Sequence, residues 1–224
     1  MEESSEVLFS IFGLKVTSQV TTMWGIMLVL VVISVLATRN LKEKPGKLQN
    51  LMEMAVSALK NFFAGLMGED KAVRYMPLMG TLFIFIICSN YVGILPAAGV
   101  VKGFTAPTSS LSTTAALGII VFFSLHFIGV RTCGLKGYGK HFIKPVAFLR
   151  PFLIIDEIVR PVSLALRLYG NIFGEETVTE QLYELFPIGV PVVMMVLSLL
   201  FCAIQAVVFT MLTAIYIEEA TEPV

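Results

Sequence analysis

Arg167 lies in the run Leu164-Ala165-Leu166-Arg167-Leu168-Tyr169, a guanidinium set among apolar residues. Arginine stays protonated in proteins, so the only chemistry open to it there is electrostatic. A charge near the centre of a bilayer costs about 2.5–3.5 kcal/mol on the mildest scale. Such a residue faces a protein partner or a water-filled cavity, and the rest of the chain must say which. At about 100° per residue, Arg160, Ser163, Gly170, Asn171 and Gly174 all fall within roughly 60° of Arg167 on a helix. Leu166, Leu168, Tyr169, Ile172 and Phe173 fall outside that sector. Small residues flank the arginine, which lets another helix approach its backbone closely. Glu176 is about 13 Å further along and roughly on the opposite side, with Glu175 beside it.

A salt bridge to a neighbouring helix is the plain alternative for Arg167. The other apolar spans, however, hold no Asp or Glu in their central portions, so a partner on another chain is expected. A second polar set lies near the end of the chain. Ser198, Cys202, Gln205, Phe209, Leu212 and Tyr216 share one side of a helix, and Gln205 is the only amide there. Gln205 can serve as glue between helices or as company for Arg167, depending on what it faces. Cys202 reads as a small apolar residue.

Other motifs carry little. Gly134 to Lys140 fits G-x-x-x-x-G-K, but His141 replaces the Ser/Thr that would hold Mg²⁺, and the run follows an apolar span. His126 and His141 are isolated, so neither a metal nor another cofactor is expected. There is no H-E-x-x-H or G-x-S-x-G, and hydrolysis has no visible nucleophile. Cys88, Cys133 and Cys202 are scattered and odd in number, which argues against a disulfide framework.

The elements that must position these residues follow from composition. Of 224 residues, 56% are hydrophobic and 14% charged, against about 25% charged in soluble domains. Formal net charge is zero, and nothing in it suggests nucleic acid. The acidic start, Met1-Glu2-Glu3, lacks the basic flank of a signal peptide, so the first apolar run is expected to stay as a membrane helix. The pattern predicts one all-α polytopic membrane domain. Residues 1–19 form an outer segment, and 20–37, 76–95, 111–130 and 187–217 are crossings. Residues 47–67 carry an apolar stripe of Leu48, Leu51, Met52, Ala55, Leu59, Phe62, Phe63 and Leu66. That pattern suits a helix on the membrane surface.

Residues 150–186 are too charged for a hydropathy window, holding Asp156, Glu157, Arg160, Arg167, Glu175, Glu176, Glu180 and Glu184. The positive-inside rule nevertheless requires them to cross. Residues 39–74 carry seven Lys/Arg and 131–150 carry five, so both are expected in the cytoplasm and the N-terminus outside. The last crossing can then return to a cytoplasmic tail, 218–224, only if the charged stretch spans. Five crossings result.

Arg160 to Ile172, read as RPVSLALRLYGNI, resembles the signature of subunit a of F-type rotary ATP synthases. Ser89 to Pro96 is similar to the outer end of that family's second crossing, and Pro107 to Thr114 to the start of its third. Gln205 to Phe209 resembles its last helix, and the likeness spans roughly residues 20–217. The resemblance implies a stator beside a ring of c subunits, held by peripheral-stalk b subunits in the bilayer of a prokaryotic plasma membrane. Two half-channels would pass H⁺ or Na⁺ to and from the ring carboxylates. It also implies that the last two helices form a long tilted hairpin against the ring, with Arg167 facing it. The chain would not be an enzyme by itself, since ATP is made on a separate catalytic head.

Carried over by position, Glu176 and Gln205 match residues of ion access or of the arginine's surroundings. Asn171 matches a polar residue of the outer half-channel, and Arg160 a basic position nearer the cytoplasm. Three departures stand out. Ser110 and Ser112 replace an Asp and an Asn of many relatives, Glu175 is an extra acid, and Ser198 lies where some relatives have a histidine or an acid. The main alternative is a secondary transporter or channel with its own intramembrane arginine site. That reading calls for inverted repeats and broken helices, and no repeat is visible. A purely structural membrane subunit comes third and has no need of Arg167.

Overall fold

The charged stretch and the apolar runs all fold as helices. The computed structural model describes residues 7–11, 14–39, 46–94, 105–141, 150–185 and 190–221. A short antiparallel hairpin of β1 (Val7–Ile11) and β2 (Leu14–Thr17) leads into α1 (Ser18–Thr38). Then come α2 (Lys47–Met67), α3 (Glu69–Ile94), a 3-10 turn (Pro107–Ser109), α4 (Leu111–His141), α5 (Arg150–Leu185) and α6 (Val190–Thr221). The molecule is an all-α membrane protein apart from the hairpin. Four helices are long and apolar enough to cross a membrane: Ser18–Thr38, Glu69–Ile94, Leu111–Gly134 and Val193–Thr221. Lys42, Lys44, Pro96, Lys102, Lys144, Pro187 and the tail 222–224 lie outside the described residues.

Several boundaries differ from the expected ones for physical reasons. α3 begins at Glu69 rather than at 76, because Glu69 and Asp70 in its first turn suit the positive end of a helix. It runs through Pro77, where the Thr81 hydroxyl donates back to the Pro77 carbonyl at 2.7 Å. α4 runs past 130 to His141 but breaks at Gly134, whose φ of 72° is left-handed and costs a glycine little. The G-x-x-x-x-G-K run therefore starts at a helix break and continues as helix, unlike a phosphate loop. The hairpin was not expected within residues 1–19. Its signals are β-branched and aromatic residues on either side of a two-residue connection that ends in Gly13.

α6 is the centre of the bundle and packs against α2, α3, α4 and α5. Phe209 and Ile217 of α6 are fully buried, with Phe63 of α2, Ile86 of α3, Val121 of α4 and Leu168 of α5. Buried Ala206 and Ala214 allow close approach of backbones. The buried Thr210 and Thr213 hydroxyls donate to Ala206 and Phe209 carbonyls of their own helix, at 2.9 and 2.8 Å. Hence polar residues in an apolar helix remain satisfied without a neighbour. α2 buries Phe63 and Met67 at its end, whereas Leu48 and Leu51 at its start are exposed. Only the last turns of its stripe reach the core. α1 is tied mainly at its start, where Ser18 and Thr22 are buried and the Ser18 and Thr105 hydroxyls are 3.3 Å apart.

α4 and α5 meet at one tight point. A Cβ on Gly118 would lie 2.8 Å from the Pro161 carbonyl oxygen and 3.2 Å from the Ala165 Cβ. Only glycine lets α5 approach this closely, and it does so two turns before Arg167.

Candidate functional site

α5 divides its faces sharply. Leu164, Leu168 and Ile172 are at most 3% exposed and pack inward. Val162, Leu166 and Phe173 are large, apolar and exposed. Arg167 lies on the exposed side. Among the described residues it makes no ion pair or hydrogen bond. A permanent cation on an apolar outer face, with its charge unmatched among the described residues, calls for a counter-charge from outside.

Glu175, Asn171 and Ser198 come together. An open cleft of about 330 Å³ runs between α5 and α6. Gly170, Asn171, Gly174, Glu175 and Val178 line one side, and Met194, Leu197, Ser198 and Phe201 the other. Gly170 and Gly174 leave the space that side chains would fill. The Glu175 carboxylate shares this cleft with the Ser198 hydroxyl. The Cys202 thiol donates to Glu175 Oε2 at 3.9 Å. Cys202 is thus buried but not merely apolar, because a neighbouring helix brings an acid to its sulfur.

Glu176 turns to another side. Its Oε1 lies 3.7 Å from where a Gly93 Cβ would stand, and that Cβ would be only 2.7 Å from the Ala106 Cβ. Glu176 therefore reaches toward the end of α3 and the residue before the 3-10 turn, away from the cleft. The two adjacent carboxylates serve different surfaces, as about 100° of helical rotation requires.

Gln205 is 6% exposed, and its Nε2 is buried with no hydrogen-bond partner among the described residues. It does not bond Arg167. Other buried polar groups were missed by sequence reasoning. Asn90 donates from Nδ2 to the Cys202 carbonyl at 3.3 Å, and its Oδ1 has no partner among the described residues. The Ser89 and Thr108 hydroxyls are likewise buried and unpartnered. Each such group costs about 1–3 kcal/mol unless something polar meets it. Ser89 and Asn90 stand in the quoted Ser89 to Pro96 segment, so a polar pair in an apolar span was the available signal.

The remaining positions lie apart. The Ser110 and Ser112 hydroxyls sit 2.7 Å from one another at the start of α4, and neither lines the cleft. Arg160 shares the sector of Arg167, yet it is held by Asp156 and by Glu219 of α6. His126 of α4 is 3.9 Å from Glu157, and its Nδ1 is 2.9 Å from the Phe122 carbonyl oxygen. Among the described residues no group of three or more His, Cys, Asp or Glu could hold a metal ion.

Comparison with known proteins gives one consistent result. Residues 20–218 match the family model described as ATP synthase A chain. A protein of Syntrophotalea carbinolica named ATP synthase subunit a 1 is 44% identical over 207 residues, covering 91% of this chain and 85% of that one. ATP synthase subunit a 3 of Pelobacter propionicus is 43% identical, covering 89% and 85% of the two chains. ATP synthase subunit a of Moorella thermoacetica is 41% identical over 94% of this chain and 93% of its own.

Proposed function

The chain belongs to the ATP synthase A chain family, and we propose that it is the ion-translocating stator subunit of an F-type ATP synthase. Family membership supports an integral membrane subunit of a multi-subunit complex that couples ion transport to ATP synthesis. The finer reading is that two half-channels pass H⁺ or Na⁺ to and from a ring of c subunits, and that ion flow turns the ring. The exposed guanidinium of Arg167, unmatched among the described residues, carries this reading. A carboxylate arriving on a ring subunit supplies the missing counter-charge and moves on when the ring turns.

A fixed cation at that point favours the ionised carboxylate and so drives release of its proton or ion. Because arginine does not deprotonate, it also blocks direct leakage between the half-channels. The electrical driving force is about 2.3 kcal/mol per charge per 100 mV. Summed over several ions, it supports ATP synthesis on a separate catalytic head, leaving this chain without a catalytic step of its own.

The outer path is assigned to the α5–α6 cleft with Asn171, Glu175 and Ser198, and to Glu176 on the neighbouring side. The buried polar groups of Ser89, Asn90, Thr108 and Gln205 suit a file of water, which would meet their open hydrogen-bonding positions. Ser110 and Ser112 are at the start of α4 and take an outer, peripheral place in this path. In this reading the N-terminus is outside, the C-terminal tail is cytoplasmic, α2 lies at the cytoplasmic surface, and b subunits brace the chain in a prokaryotic plasma membrane.

The test replaces Arg167 with Ala in the complete ATP synthase, reconstituted into proteoliposomes. ATP-driven ion pumping is expected to disappear while the complex stays assembled. Pumping at the wild-type rate would end the proposal.

A further inference from the structure

Arg160 and Arg167 stand on one helix, about 10 Å apart along its axis, in opposite circumstances. Arg167 pairs with nothing among the described residues. Arg160 is enclosed. Its Nη1 and Nη2 donate to Glu219 Oε2 and Oε1 at 2.8 and 3.0 Å, a two-pronged pairing that fixes orientation as well as distance. Its Nε and Nη2 donate to Asp156 Oδ2 at 3.0 and 2.7 Å, and its Cζ lies 5.0 Å from the centre of the Tyr216 ring. Asp156 is one turn back on α5, whereas Tyr216 and Glu219 belong to the end of α6.

We infer that Arg160 is a positioning residue: the Asp156–Arg160–Glu219 clasp fixes how α5 pairs with α6 and thereby sets where Arg167 faces the ring. The inference rests on the stator reading of Arg167.

The end of α6 is held by neighbours at three successive residues. Lys71 of α3 is 3.7 Å from Glu218, Arg160 of α5 takes Glu219, and the Cys133 thiol of α4 donates to the Ala220 carbonyl at 3.8 Å. A helix tied to three others over three residues cannot slide or turn about its axis there. α5 is gripped a second time between the clasp and Arg167, where Pro161 and Ala165 close on Gly118. A helix fixed at both places carries its alignment over the two turns to Arg167.

The clasp also cancels a charge. Two carboxylates surround one guanidinium, so Arg160 offers an arriving carboxylate no net attraction. Released, it would be a second cation within about 10 Å of Arg167 and would hold ring carboxylates that should move on.

The experiment uses the whole ATP synthase in proteoliposomes. It measures ions pumped per ATP hydrolysed, normalised to subunit a in the purified complex. Arg160→Gln and Glu219→Gln are each expected to lower that ratio at least fivefold. Exchanging the two charges, Arg160→Glu with Glu219→Arg, is expected to restore it to within twofold, because the relocated guanidinium can still reach Asp156. A fold-stabilising role alone would change the amount of subunit a and leave the normalised ratio unmoved, which would overturn the inference. Wild-type pumping by Glu219→Gln, or an exchange no better than Arg160→Gln, would overturn it too. If a single variant does not assemble, the exchange decides: one that assembles and pumps supports the clasp, and one that does not removes it. Arg167→Ala runs alongside, and its wild-type pumping would defeat the stator reading itself rather than the clasp alone.

Discussion

Two neighbouring acids, Glu175 and Glu176, show what one residue of displacement does on a helix. Glu175 looks into the α5–α6 cleft beside Ser198 and accepts from Cys202, while Glu176 looks toward Gly93. Glu175→Gln keeps the shape and removes the charge, and is expected to slow ATP-driven pumping about tenfold, equivalent to about 1.4 kcal/mol of barrier. An unchanged rate in reconstituted complexes would take Glu175 out of the path. Arg167 was legible in the sequence because a charge inside an apolar run announces its own cost. The neighbours of Glu175 and Arg160 were not. Ser198 and Glu219 lie on the next helix, and only the register of the α5–α6 hairpin decides which acid meets which side chain. The helical-sector argument put Arg160 beside Arg167, and could not show that a residue 59 positions later would occupy it.

At the scale of the element, periodicity and charge found the helices, and local backbone chemistry moved their ends. The acidic start of α3 extended that helix beyond its apolar run, and α4 ran past its own before Gly134 broke it, since hydropathy measures what lipid tolerates and not where hydrogen bonding stops. The close contact of α4 and α5 was invisible, because Gly118 is an ordinary glycine until Pro161 is placed opposite it. Gly118→Val is expected to force α5 outward at a cost of about 1–3 kcal/mol. Reduced retention of subunit a in the detergent-purified complex would register the change, as would lower coupling in what remains. Full retention and coupling would mean that the contact yields without consequence. Gly118→Ala places one carbon 2.8 Å from a backbone oxygen and should show the same effect in milder form.

At the scale of the molecule, the five-crossing reading puts the starts of α3 and α4 on opposite sides of the membrane, and that is open to direct measurement. Single cysteines placed at Asp70 and at Ser112, in a version lacking Cys88, Cys133 and Cys202, are expected to react from opposite sides. A membrane-impermeant maleimide should reach Asp70→Cys only in inverted vesicles and Ser112→Cys only in intact cells. Labelling of both from one side would refute the orientation. The bundle itself is arranged around α6, which packs on four other helices and buries Phe209 and Ile217 among them. During synthesis that helix follows all its partners out of the ribosome. Until it is made, α2, α3, α4 and α5 lack the one helix that all four pack against. Assembly therefore closes from the end of the chain, and a ribosome stalled before residue 190 leaves a set of inserted helices with no centre to gather on.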